Sequence, residues 1–195
     1  VLDSGSVQSA FNKVKDKWGS IDFVLHSIAF SDKNELKGKY LDTSRDNFTQ
    51  TMLISCFSFT ETANEASKLM INGGSMVTLS YDGSQRVVPN YNVMGVAKAA
   101  LESSVRYLAA DLGNQNIRVN SLSAGPMKTL AMAGISGGKD MLKWSEKNSL
   151  MQRNVSLDDV GKSGLYLLSD LSSGVTGENH YVDCGYNKVG VPREI

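Results

Sequence analysis

The sequence predicts an α/β protein with a parallel sheet covered by helices, and three observations point that way. Helical and strand patterns alternate along all 195 residues. Each strand pattern is a short, nearly continuous apolar run, as expected of strands buried on both faces. Glycines mark the changes of period at Gly19, Gly73-Gly74 and Gly113. In open sheets of this kind ligands lie beyond the strands' carboxyl ends, so chemistry is expected there.

Taken in order, residues 6–18 put Val7, Ala10, Phe11, Val14 and Trp18 on one helical stripe, which Gly19 ends. Residues 21–25 read as a buried strand running into His26-Ser27-Ile28-Ala29-Phe30. Alternation turns His26 into the sheet's packing, away from any chemistry. A polar loop over 31–43 leads to a long helix over 44–70, with Phe48, Met52, Ile54, Ser55, Phe59, Ala63 and Ala66 along it. A strand over 75–80 follows Gly73-Gly74. Pro89 and Asn90, with a fixed φ and a capping oxygen, suit the start of a helix over 91–112. A strand over 117–122 empties into Ser123-Ala124-Gly125-Pro126-Met127-Lys128-Thr129. Residues 131–152 are Gly- and Met-rich and irregular, a loop with short helices. Ser156 and Asp159 open a capping-box helix reaching Ser169, and residues 180–183 form the last strand.

Composition narrows the function. Net charge is zero, with 41% hydrophobic and 21% charged residues and no long run of one sign, so neither a nucleic-acid nor a membrane surface is expected. Cys56 and Cys184 lie far apart, and His26 and His180 lack neighbours at ligand spacing, so no metal site is expected. Cys184 reads as a small core filler rather than a nucleophile. With no long apolar stretch and no signal peptide, the expected compartment is the cytoplasm. The chain reads as one domain.

The chemistry concentrates on Tyr91 and Lys98. Their spacing is about 20° short of two helical turns, which places both on one face roughly 10 Å apart. The free N–H groups of a first turn favour a developing phenolate, and a nearby ammonium would anchor a cofactor hydroxyl and lower the phenol's pKa. The other Tyr-x6-Lys pair, Tyr181 with Lys188, spans Gly185 in a tight turn, where no helix aligns the side chains.

The segments HSIAF (26–30), LSYDG (79–83), PNYNVMGVAKAALE (89–102), RVNSLSAGPMKT (118–129) and SSGVTGE (172–178) resemble the short-chain dehydrogenase/reductase superfamily. More narrowly, they resemble its bacterial NADH-dependent enoyl-acyl-carrier-protein reductases. The six-residue gap from Tyr91 to Lys98, with Tyr81 ten residues upstream, is that variant's pattern. The resemblance implies a Rossmann-like doubly wound sheet with helices on both faces. It implies reduction of a trans-2-enoyl thioester carried by acyl carrier protein, with NADH as cofactor, in a homotetramer. The long helices over 44–70 and 91–112 are the interface elements it suggests.

The same resemblance implies residue roles. Tyr91 hydrogen-bonds the thioester carbonyl, Tyr81 is the pocket's second tyrosine, and Lys98 holds the nicotinamide ribose. Ser27, Ile28, Ala29 and Leu79 line the cofactor, Val1 lies toward adenine, and Ser31 faces substrate. Ala124, Gly125, Pro126, Met127, Lys128, Thr129, Leu130 and Ala131 form the segment along nicotinamide and pyrophosphate, although Lys128 itself reads as solvated. Residues 131–152 form a lid, where Gly137 and Gly138 replace an aromatic-bearing turn. Asp82 stands where the family more often has an apolar residue. The Gly-rich pyrophosphate loop is missing, so the chain is expected to lack N-terminal strands and about 60 to 70 residues, leaving strand 21–25 with an unpaired edge. Two alternatives remain: a 3-oxoacyl (carbonyl) reductase, and a non-catalytic nucleotide- or partner-binding domain.

Overall fold

The computed structural model describes residues 1–129, 132 and 136–192. Four strands, β1 (Phe23–His26), β2 (Gly74–Ser80), β3 (Ile117–Ala124) and β4 (Asn179–Val182), form a parallel sheet in the order β1-β2-β3-β4. Helix α1 (Ser6–Trp18) precedes β1, and α2 (Arg45–Met52) and α3 (Ser58–Ser67) lie between β1 and β2. Helix α4 (Asn92–Leu112) connects β2 to β3, and α5 (Gly138–Asn148) and α6 (Leu157–Leu168) precede β4.

Alternation along β2 and β3 sends side chains to two cores. Met76, Ile117 and Val119 pack with Phe59, Leu101 and Val105 of α3 and α4. Val77 and Leu122 face the other way, against Leu167 of α6. Helices therefore cover both faces, and burying a side chain such as Leu101 contributes about 1.5–3 kcal/mol. Arg118 ties α6 to the sheet by donating to the carbonyls of Leu167 and Ser169 at the helix's negative end. The capping box at Ser156 and Asp159 starts α6 as expected.

Several expectations need correction. Burial on both faces holds for β2 and β3 but not for β1, where Phe23 and Leu25 are 57% and 53% exposed. Within the described residues β1 is an edge strand paired only with β2; Val24 and the buried His26, which meets the Phe59 ring, turn toward the helix-covered core. The helix over 44–70 contains a π-helical turn at Leu53–Phe57 between α2 and α3. That turn aims Ser55 and Ser58 at the end of β1: Ser55 Oγ donates to the Phe30 carbonyl and accepts from its N–H, both at 3.0 Å. His26 is buried as expected, its ring nitrogens 2.9 Å from Thr78 Oγ1 and Ser58 Oγ. Residues 138–148 of the 131–152 stretch form a regular 11-residue helix, α5, entered through Gly137 at φ 81, while residues 131 and 133–135 lie outside the described residues.

Candidate active site

Because the sheet is parallel, the carboxyl ends of β1, β2 and β3 open on one side, with Ser80 paired to Ser123. Tyr81 leaves β2 with extended backbone, and Tyr91 stands at the N-cap of α4. Both tyrosines are buried, with ring centroids 5.1 Å apart and planes inclined by 72°, an edge-to-face pair. They share an apolar cluster with Leu36, Val88, Val93 and Met94. Gly83 permits the contact, since a Cβ there would sit 2.5 Å from the Tyr91 ring.

Asn90 does not cap α4, contrary to expectation. Asn90 and Asn92 take left-handed φ angles of 60° and 38°, which asparagine tolerates better than most residues. Their amides serve other segments: Asn90 Nδ2 donates to the Ser136 carbonyl, and Asn92 Nδ2 to those of Leu36 and Gly38. Tyr91 is thereby held between the loop after β1 and the approach to α5.

Lys98 is buried two turns along α4, and its Nζ donates to the Leu79 carbonyl at 2.6 Å. Burial lowers its pKa to about 8, against the opposing pull of Cys56 and Glu102. Burial first, and then the charge of Glu102, push the Tyr91 phenol above its ordinary value. This overturns the expectation that Lys98 and the helix start lower it: desolvation dominates, and Tyr91 stays protonated as a hydrogen-bond donor. Tyr81 is raised too, first by burial and then by the Tyr186 phenol.

The structure thus brings together Tyr81, Tyr91, Lys98 and Leu79. Ser27, Ile28 and Ala29 are exposed beyond the end of β1. Ser31 is half-buried, donating to Asn47 Oδ1 and accepting from Thr51 Oγ1. Ala124, Gly125 and Pro126 are buried, Met127 and Thr129 half-buried, and Lys128 exposed, as its solvated reading expects. Val1 is half-buried ahead of α1. Among the described residues no hydrogen bond or ring contact joins Val1, Ser27, Ile28, Ala29, Ser31 or residues 124–129 to the Tyr81–Tyr91–Lys98 group. Leu130 and Ala131 lie outside the described residues.

Three residues around Tyr81 carry no signal in the sequence. The Tyr81 hydroxyl donates to Met141 Sδ of α5 at 3.1 Å, and Trp144 of the same helix meets Tyr186 edge-on at 5.4 Å. Only the packing of α5 and the chain after β4 beside β2 brings them there. Asp82, the departure from the family pattern, is buried with Oδ2 3.8 Å from Arg86 Nε. The Arg86 guanidinium also donates to the carbonyls of Asn187 and Val189, tying this turn to the segment after β4. Burial raises the pKa of Cys184, so its thiol is a poor nucleophile.

A family model described as enoyl-(acyl carrier protein) reductase matches residues 1–187. The chain is 65% identical over 192 residues to an NADH-dependent enoyl-(acyl-carrier-protein) reductase of Rhizobium meliloti, covering 98% of this chain and 72% of that protein. Among solved structures it is similar to the FabI protein of Candidatus Liberibacter asiaticus, with a TM-score of 0.95 and 62% identity, covering 97% of this chain and 74% of that one. It is also similar to the Anaplasma phagocytophilum enoyl-(acyl-carrier-protein) reductase solved with NAD, with a TM-score of 0.94 and 59% identity, covering 97% and 72%.

Proposed function

The chain belongs to the enoyl-(acyl carrier protein) reductase family, and we propose from that premise how its side chains divide the reaction. The activity is NADH-dependent reduction of the trans-2 double bond of an enoyl thioester on acyl carrier protein, the last step of the fatty-acid elongation cycle. The relatives' names favour this reaction over reduction of a 3-oxoacyl group.

Bound NADH supplies the hydride for the β-carbon, and negative charge then develops on the thioester oxygen. Tyr91 meets that charge as a hydrogen-bond donor, because burial keeps its phenol protonated. Tyr81 packs edge-on against the Tyr91 ring, fixes its rotation and closes the substrate side. Lys98 holds the nicotinamide ribose. The residues fit such a group: a buried ammonium gives one hydrogen bond to a backbone carbonyl among the described residues and has further N–H donors to offer. Ser27, Ile28, Ala29, Leu79 and residues 124–131 line the nucleotide, Val1 lies toward its adenine, and Ser31 faces the acyl chain.

The observation that carries this reading is the convergence of two buried tyrosines and a buried lysine at the carboxyl end of β2. We also propose a homotetramer, supported by Tyr107 on α4, 74% exposed beside a groove lined by Thr60, Ala100 and Leu108. NADH oxidation assayed with a trans-2-enoyl thioester beside a 3-oxoacyl thioester tests the function: turnover of the first alone is expected, and preference for the second would overturn it. Light scattering of the purified protein tests the assembly, and a monomer at micromolar concentration would exclude it.

A further inference from the structure

We infer that Glu102 is the positioning residue for Tyr81, anchoring the turn after β2 onto α4; this rests on the role proposed for Tyr81. Glu102 follows Lys98 by one turn of α4 and is only 3% exposed. A buried carboxylate is unfavourable unless its lone pairs are matched, and an apolar residue would serve helix packing better. Here Ser80 Oγ and Ser84 Oγ each donate to Oε1 at 2.5 Å, and Gln85 Nε2 donates to Oε2 at 2.6 Å. No ion pair among the described residues includes Glu102.

All three donors therefore come from residues 80–85, the stretch that holds Tyr81. Short bonds to a charged acceptor are the stronger kind. Lys98 takes the Leu79 carbonyl immediately before this stretch, so successive turns of α4 grip it, the ammonium on a carbonyl and the carboxylate on hydroxyls and an amide. Glycine lets the two segments touch: a Cβ on Gly95 would lie 2.6 Å from the Gly83 carbonyl oxygen. The turn is pressed against the helix, and Glu102 sets its register. The same carboxylate favours the protonated forms of Tyr91 and Lys98.

The test is steady-state enoyl reduction by the intact protein, with NADH affinity measured directly, for Glu102→Ala, Glu102→Gln, Tyr81→Phe and the double variants. Glu102→Ala is expected to lower kcat/KM for the enoyl thioester about 10- to 100-fold, the scale of a misplaced group, with NADH affinity changed less than about threefold. Glu102→Gln should recover to within about fivefold, because one oxygen still serves both serines and Gln85 can turn its own carbonyl toward the new amide. In a Tyr81→Phe background, Glu102→Ala should cost less than about threefold further, the non-additivity expected of one residue acting through another. If Glu102→Ala does not fold, Gln85→Ala removes a single donor and repeats the cycle with a loss of roughly three- to tenfold. Independent, multiplicative losses would overturn the inference, as would Glu102→Gln as impaired as Glu102→Ala with parallel loss of NADH binding. Wild-type protein that oxidises no NADH with an enoyl thioester would refute the function itself, and this inference with it.

Discussion

Tyr81 and Tyr91 meet edge to face, their ring centroids 5.1 Å apart, and this contact joins the end of β2 to the start of α4. The two phenols bury each other, and burial, ahead of the Glu102 charge on Tyr91 and the Tyr186 phenol on Tyr81, holds both above their ordinary pKa. Tyr91 therefore acts as a neutral donor whose proton is already in place when charge develops on the substrate oxygen.

Replacing Tyr91 by Phe is expected to slow enoyl reduction about 100-fold, the scale of one lost donor worth about 3 kcal/mol, with NADH affinity nearly unchanged. Lys98→Ala should instead weaken NADH binding tenfold or more. Titrating NADH into both variants separates the roles. Equal losses of affinity would refute the division.

Lys98 titrates within reach of experiment. Burial brings its pKa down to about 8, with Cys56 and Glu102 holding it up and a neutral His26 facing it. NADH affinity of the free protein should fall as pH rises through about 8, when the ammonium loses its proton. Lys98→Met should bind weakly with no inflection there. A wild-type profile flat between about pH 6 and 10 would contradict the assignment.

His26 gives a stability signature. Burial, then the charge of Lys98, lower its pKa from 6.5 to about 4, so the unfolded state takes up the proton first. Its contribution to stability is complete above about pH 6.5 and is lost as pH falls toward 4, by up to about 3 kcal/mol. Denaturation across that window should show a steeper decline for wild type than for His26→Gln. Parallel slopes would rule this out.

Gly83→Ala should destabilise the protein by about 1–3 kcal/mol, since the new Cβ lies 2.5 Å from Tyr91 Cδ1 and must displace the ring. Enoyl turnover should fall further than NADH affinity. Gly164→Ala in α6 meets nothing within 4 Å and should be neutral or stabilising, as alanine favours a helix over glycine. Similar melting temperatures for the two variants would show that the turn yields freely.

The sequence by itself determined the helix bearing Tyr91 and Lys98, the capping box at Ser156 and the inward turn of His26, because helical period, caps and strand alternation are properties of neighbouring residues. The segments at 26–30, 79–83, 89–102, 118–129 and 172–178, with the spacing of Tyr81, Tyr91 and Lys98 among them, also carried the resemblance to the family. Tertiary structure decided the rest. An apolar run cannot reveal which faces of a strand are covered, so only the structure showed Phe23 and Leu25 of β1 exposed. The direction of the Tyr91 pKa shift depended on how completely other segments exclude water, and burial reversed what the spacing to Lys98 suggested. Met141 and Tyr186 entered the site from other parts of the chain, and Glu102 reached the 80–85 turn from α4, because long-range packing, not local pattern, brings such groups together.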